Sequence, residues 1–104
     1  MIREIQEELS IWQKHNFPDR PSHQPLLGMM EELGELTHAH LKEEQGIRKQ
    51  DYEAKIKDAI GDIFVYMLDY ANARGYDVEN IISSVWKEVK KRDWIAYPMN
   101  GLTE

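Results

Sequence analysis

Apolar residues recur along most of this chain at intervals of three and four, the spacing of one face of an α-helix. Ile2, Ile5, Leu9 and Trp12 predict an amphipathic helix over about residues 2–15, with Trp12 in its core stripe. Pro18, Pro21 and Pro25 crowd the stretch from Asn16 to Pro25 and predict a loop. A second helix is expected from about 25 to 44, with Leu26, Met29, Met30, Leu33, Leu36 and His40 on its apolar side and Gly46 breaking it. Ile56, Ile60, Ile63, Phe64, Met67 and Ala71 form the inner face of a third, from about 51 to 74, with Gly75 placed to end it. Asp77 can cap a fourth, striped by Val78, Ile81, Ile82, Val85 and Val89. The tail from Ala96 carries Pro98 and Gly101 and reads as irregular. No strand-like alternation persists, so the pattern predicts an all-α fold, a four-helix antiparallel bundle with short loops.

Length and composition narrow the picture. The chain has 104 residues, enough for a single domain spanning 1–104 but short for a large enclosed site, so a pocket would be completed by a second subunit. No apolar run approaches the roughly 18 residues of a membrane span. The opening MIREIQEELS is acidic and amphipathic, so no signal peptide is expected. The absence of cysteine removes disulfides, thiolate metal sites and cysteine nucleophiles, and fits a cytoplasmic protein. A net charge of −6 disfavours polymeric nucleic acid. It also repels an anionic small molecule unless a cation intervenes.

The candidate chemistry lies in two acidic stripes. On the second helix Glu35 falls about 40° from Glu31 and Glu32 about 100° away, so the three reach one patch, with His38 beside them. On the third helix Asp58 and Asp62 are four residues apart, and Asp69 and Asn72 continue their line. Acidic faces are ordinarily solvated surface. Here, however, Glu31/Glu35 and Asp58/Asp62 are like-charge i,i+4 pairs, each costing an isolated helix about 0.2–0.5 kcal/mol. A short loop makes the two helices antiparallel neighbours, so the acids can converge across one groove as a hard-cation site for Mg²⁺ or Mn²⁺.

These residues carry a family resemblance. Glu31-Glu32-Leu33-Gly34-Glu35 resembles the EExxE motif of the MazG-like all-α nucleoside triphosphate pyrophosphohydrolases. Asp58-Ala59-Ile60-Gly61-Asp62-Ile63-Phe64-Val65-Tyr66 resembles the apolar helix that carries their ExxD motif, Asp62 matching its Asp. The likeness spans about residues 20–94 and has one departure: the motif's Glu falls on Ala59. Asp58, one position earlier, or water would fill that place. The resemblance implies Mg²⁺-dependent hydrolysis (Mn²⁺ as a substitute) of a nucleoside triphosphate to the monophosphate and pyrophosphate. It implies Glu32, Glu35 and Asp62 as ligands, Glu31 as a further ligand or the base, and Asp58 as a weaker candidate. It also points to Tyr66, Asn72 and His23, and to Lys87 and Lys91 as phosphate contacts, although their place at a helix C-terminus is sufficient reason for such lysines.

Trp94 either stacks on a nucleobase or packs against a neighbouring subunit. His40, within the apolar stripe, reads as a hydrogen-bonded core or interface residue. Apolar residues flanking the main stripes, among them Leu27, Leu41, Val65, Leu68 and Trp86, exceed what one small core needs, and predict a homodimer or a dimer of dimers. Two other classes remain open: a catalytically lapsed nucleotide- or metal-binding relative, and a non-enzymatic helical interaction module.

Overall fold

The computed structural model describes residues 1–103. Among them it contains four α-helices and no strand: α1 (Ile2–Asn16), α2 (Gln24–Gln45), α3 (Tyr52–Arg74) and α4 (Val78–Val89). Among the described residues no helix is long and apolar enough to cross a membrane. The boundaries follow local chemistry. Gly46 (φ 66°) and Gly75 (φ 73°) end α2 and α3 in the left-handed region that glycine enters without a Cβ clash. Asp77 caps α4 by accepting from the Asn80 N–H, and Asp51 caps α3 by accepting from that of Ala54.

The α2–α3 pair is the main packed unit, and α1 lies against α3. α4 packs chiefly against α1. A tie not anticipated from periodicity joins these elements at one end. Gln6, buried on α1, donates from its amide to Asn72 Oδ1 (2.9 Å) and to the Tyr76 carbonyl (2.7 Å). Its Oε1 accepts from the Val78 N–H (3.1 Å), and Asn72 Nδ2 donates back to the Gln6 carbonyl (3.0 Å). Leu68, Ala71 and Val78, with Ile2 and Leu9, form a small core beside this knot.

The single chain does not close into a compact bundle. Its radius of gyration is 17.7 Å, against about 13 Å for a compact domain of this length. The expected inner faces are largely on the surface. Phe64 and Met67 of α3, Met30 and Leu33 of α2, and Ile81, Ile82 and Val85 of α4 are all exposed, and Trp12, expected in the core, is 55 % exposed. The cause is a second periodicity. Pro25, Gly28, Glu32, Glu35, Ala39 and Lys42 repeat at three and four along α2. Tyr52, Lys55, Ala59, Asp62, Tyr66 and Asp69 do so along α3. These small and polar rows form the seam between the two helices. Pro25, Ala39, Tyr52, Ala59 and Asp69 are buried there. Gly28 is required where it stands, because a Cβ would come within 2.5 Å of the Tyr66 ring. With the seam on this side, the apolar stripes turn outward.

Candidate functional site

The middle of the seam holds the acids. Glu31, Glu32 and Glu35 each place a carboxylate oxygen within 4.8 Å of the others. Glu32 is half-buried, and its Oε2 is shielded from solvent with no hydrogen-bond partner. Burial, then the charges of Glu35 and Asp62, push its carboxyl up to about 7. An all-oxygen donor set gathered on one helix, with an orphaned oxygen within it, suits a hard divalent cation. Asp62 faces this cluster from α3. Asp58 shares a cavity with Glu31 and Glu35. Ala59 also lines that cavity, so the residue standing where the resembling motif has Glu is a buried seam position near Glu35.

Two cavities flank the acids. One, of about 540 Å³, opens toward the α2–α3 loop. Glu31, Glu35 and Asp58 lie on its wall together with Lys42, Arg48 and Lys55. Lys42 and Lys55 donate to the neutral side chains of Gln45 and Gln50, so their charges are not consumed by carboxylates there. His38 lies in the same cavity. The other, of about 420 Å³, lies on the α1 side and is reached by Glu32, Asp62 and Tyr66. Trp12, Phe17 and Arg20 form its opposite wall. An acid cluster between a cationic hollow and an aromatic one can hold a metal-bound, polyanionic ligand with an apolar planar end.

The remaining sequence candidates are placed elsewhere in the single chain. Asn72 is engaged at both ends of its amide by Gln6. His23 is exposed at the start of α2, and its side chain makes no capping bond. Lys87, Lys91 and Trp94 line neither cavity flanking the acids. Lys91 pairs with Glu88 at 3.1 Å, and the Arg92 guanidinium lies 5.6 Å from the Trp94 ring centroid. His40, expected in a core or interface, is exposed and bonded to Glu44 at 3.0 Å. Sequence reasoning did not single out Lys42, Arg48 and Lys55, nor Gln13, Phe17 and Arg20. The three-and-four repeat of the seam could have exposed Lys42 and Lys55; nothing local marks the loop residues. Comparison with protein-family models, with curated proteins and with solved structures finds no match to this chain.

Proposed function

We propose that this chain is a divalent-metal-dependent nucleoside triphosphate pyrophosphohydrolase of the MazG-like kind, acting on a small nucleotide in the cytoplasm. The observation that carries the reading is the carboxylate cluster of Glu31, Glu32 and Glu35, faced by Asp62 and flanked by a cavity bearing Lys42, Arg48 and Lys55. Glu32, Glu35 and Asp62 would hold Mg²⁺, with Glu31 and Asp58 beside them. When bound, the metal supplies charge neutralisation on the phosphates and a more acidic water. A carboxylate of the cluster not engaged by metal accepts the proton of the water that attacks the α-phosphorus. The α–β phosphoanhydride bond breaks, and its electron pair leaves with pyrophosphate. Lys42, Arg48 and Lys55 receive the β- and γ-phosphates; the acids alone would repel them. A homodimer or a dimer of dimers covers the outward apolar stripes and is the means by which Lys87, Lys91 and Trp94 would approach a neighbouring site.

A panel of ribo- and deoxynucleoside triphosphates incubated with Mg²⁺, with products resolved by ion exchange, tests the reaction. Monophosphate and pyrophosphate in equal amounts are expected; diphosphate and orthophosphate as the products would overturn it. The buried Ala59 favours one second reading, a lapsed relative that binds metal and nucleotide without cleavage. That protein would melt at higher temperature with Mg²⁺ than with NaCl of equal ionic strength, yet release no pyrophosphate.

A further inference from the structure

The hydrolysis proposed above asks the cationic cavity to receive two phosphoryl groups, and the cavity is larger than that. Its volume, about 540 Å³, lies within the range of about 300–1,000 Å³ that encloses a whole small-molecule ligand. It is also long. Along α2 its lining runs from Glu31 to Lys42, about 16 Å of axis at about 1.5 Å per residue. Lys42 and Lys55 turn their ammonium groups still further toward the α2–α3 loop, to Gln45 and Gln50. Arg48 adds a third cation in the loop itself. Between the acids and these cations the wall is made of Gly34, Ala39 and Ala59, residues with little or no side chain. A Cβ built at Gly34 meets no atom within 4 Å, so nothing narrows the passage there. The loop end is not purely polar. Tyr52 is largely buried against it, with the Lys55 ammonium 6.0 Å from the ring centroid. Bare phosphates call for cations; they do not call for an aromatic ring or for this much room.

We infer that the cavity accepts a group carried beyond the phosphates, and that the substrate class is a dinucleoside polyphosphate whose second nucleoside lies at the α2–α3 loop. The inference rests on the pyrophosphohydrolase reading and names its substrate. The small residues of the wall let the phosphate chain pass, and the three cations neutralise it. Tyr52 and the aliphatic stems of Lys42 and Lys55 bound the distal nucleoside. The bond broken is the same. With a dinucleoside tetraphosphate, water attacks the α-phosphorus beside the first nucleoside, and its proton passes to a free carboxylate of the cluster. The α–β bridging bond breaks, and its electron pair leaves with the triphosphate of the second nucleoside. That triphosphate is a substrate in its turn. The end point is therefore two monophosphates and one pyrophosphate for each molecule consumed.

Two measurements on the full chain test this, one of them independent of hydrolysis. With Mg²⁺, a dinucleoside tetraphosphate should be cleaved with a kcat/KM within about tenfold of that for the corresponding triphosphate, or above it. Gly34→Leu grows a side chain into the open passage, and Tyr52→Leu removes the distal ring; each should lower that ratio by about tenfold or more. In calorimetric titration, α,β-methylene analogues of both compounds, which cannot be cut at the α–β position, report binding alone. The dinucleoside analogue should bind at least as tightly as the mononucleotide analogue in the unaltered chain and more weakly than it in Gly34→Leu. Cleavage of the triphosphate with the dinucleoside compound refused would overturn the inference and leave the hydrolase reading standing. Ratios unchanged in both variants would overturn it too, as would a nucleoside tetraphosphate used as well as the dinucleoside compound in every variant, since the space would then serve phosphate alone. Tight, Gly34-sensitive binding of the dinucleoside analogue with neither compound cleaved would support the cavity's role and remove the hydrolase reading.

Discussion

With its carboxyl pushed up to about 7, first by burial and then by Glu35, Asp62 and Glu31, Glu32 holds a proton in the metal-free protein across the mildly acidic range. An unfolded chain releases that proton near 4.5. The folded state therefore binds it more tightly; stability from this group is full below pH 4.5 and is lost as pH rises toward 7. Asp77, held low by Arg3, acts in the opposite direction in acid, so the comparison must be between proteins. In metal-free thermal melts, the fall in Tm between pH 5 and pH 7.5 should be smaller in Glu32→Gln than in the unaltered chain; identical slopes would remove Glu32 from the crowded cluster. Ala59 is the second informative residue. Ala59→Glu adds a carboxylate at a buried seam position near Glu35. It should lower the metal-free Tm and enlarge the rise in Tm produced by Mg²⁺, whereas Asp58→Asn should shrink that rise. The opposite pattern would place the metal away from this cavity.

At the scale of elements, much was legible and one thing was systematically misread. Helix number, order and ends follow from apolar spacing, from the prolines of the loop after Asn16, and from Gly46, Gly75 and Asp77. The faces do not. Apolar periodicity measures which side of a helix avoids water, but not which neighbour covers it, so Phe64, Met67 and Val85 were expected inside and lie outside. The α2–α3 contact instead runs along Gly28, Ala39, Ala59 and Tyr66, whose small or amphipathic side chains allow close approach without a hydrophobic signature. The acid clusters of α2 and α3 could be expected to face each other because like-charge pairs marked both helices and a short loop made them antiparallel; the pairing of Arg20 with Asp69 could not, because it depends on how a loop folds back. Gln6 shows the same limit. It sits off the apolar stripe, yet satisfies Asn72 on α3, the Tyr76 carbonyl in the turn that follows and the N–H that opens α4. Gln6→Leu should cost about 2 kcal/mol or more in urea denaturation, by orphaning Asn72 and the Val78 N–H. A loss below about 0.5 kcal/mol, the range of neutral surface changes, would show that the knot is dispensable.

At the scale of the molecule, a radius of gyration of 17.7 Å and outward apolar stripes on α2, α3 and α4 describe a chain whose apolar faces lack a partner within itself. Such surface is well beyond the scattered exposure normal for a soluble monomer. Sedimentation at micromolar concentration should give a dimer or a tetramer, and Val85→Lys on α4 should shift the distribution toward monomer. A chain that remains monomeric over that range would mean that one copy carries its apolar faces in water. If dimerisation completes the site through Lys87, Lys91 or Trp94, hydrolysis per chain should fall on dilution through the dissociation range; a constant rate would show that one chain builds the whole site.

The acid seam as a catalytic metal site is tested most directly by Glu35→Gln, which keeps side-chain size and helix propensity while removing one anionic ligand. Pyrophosphate release is measured at saturating Mg²⁺ beside far-ultraviolet circular dichroism of the same sample. The account predicts unchanged helicity, a metal-free Tm equal to or slightly above that of the unaltered chain, and loss of nearly all release. Full activity in Glu35→Gln would contradict it.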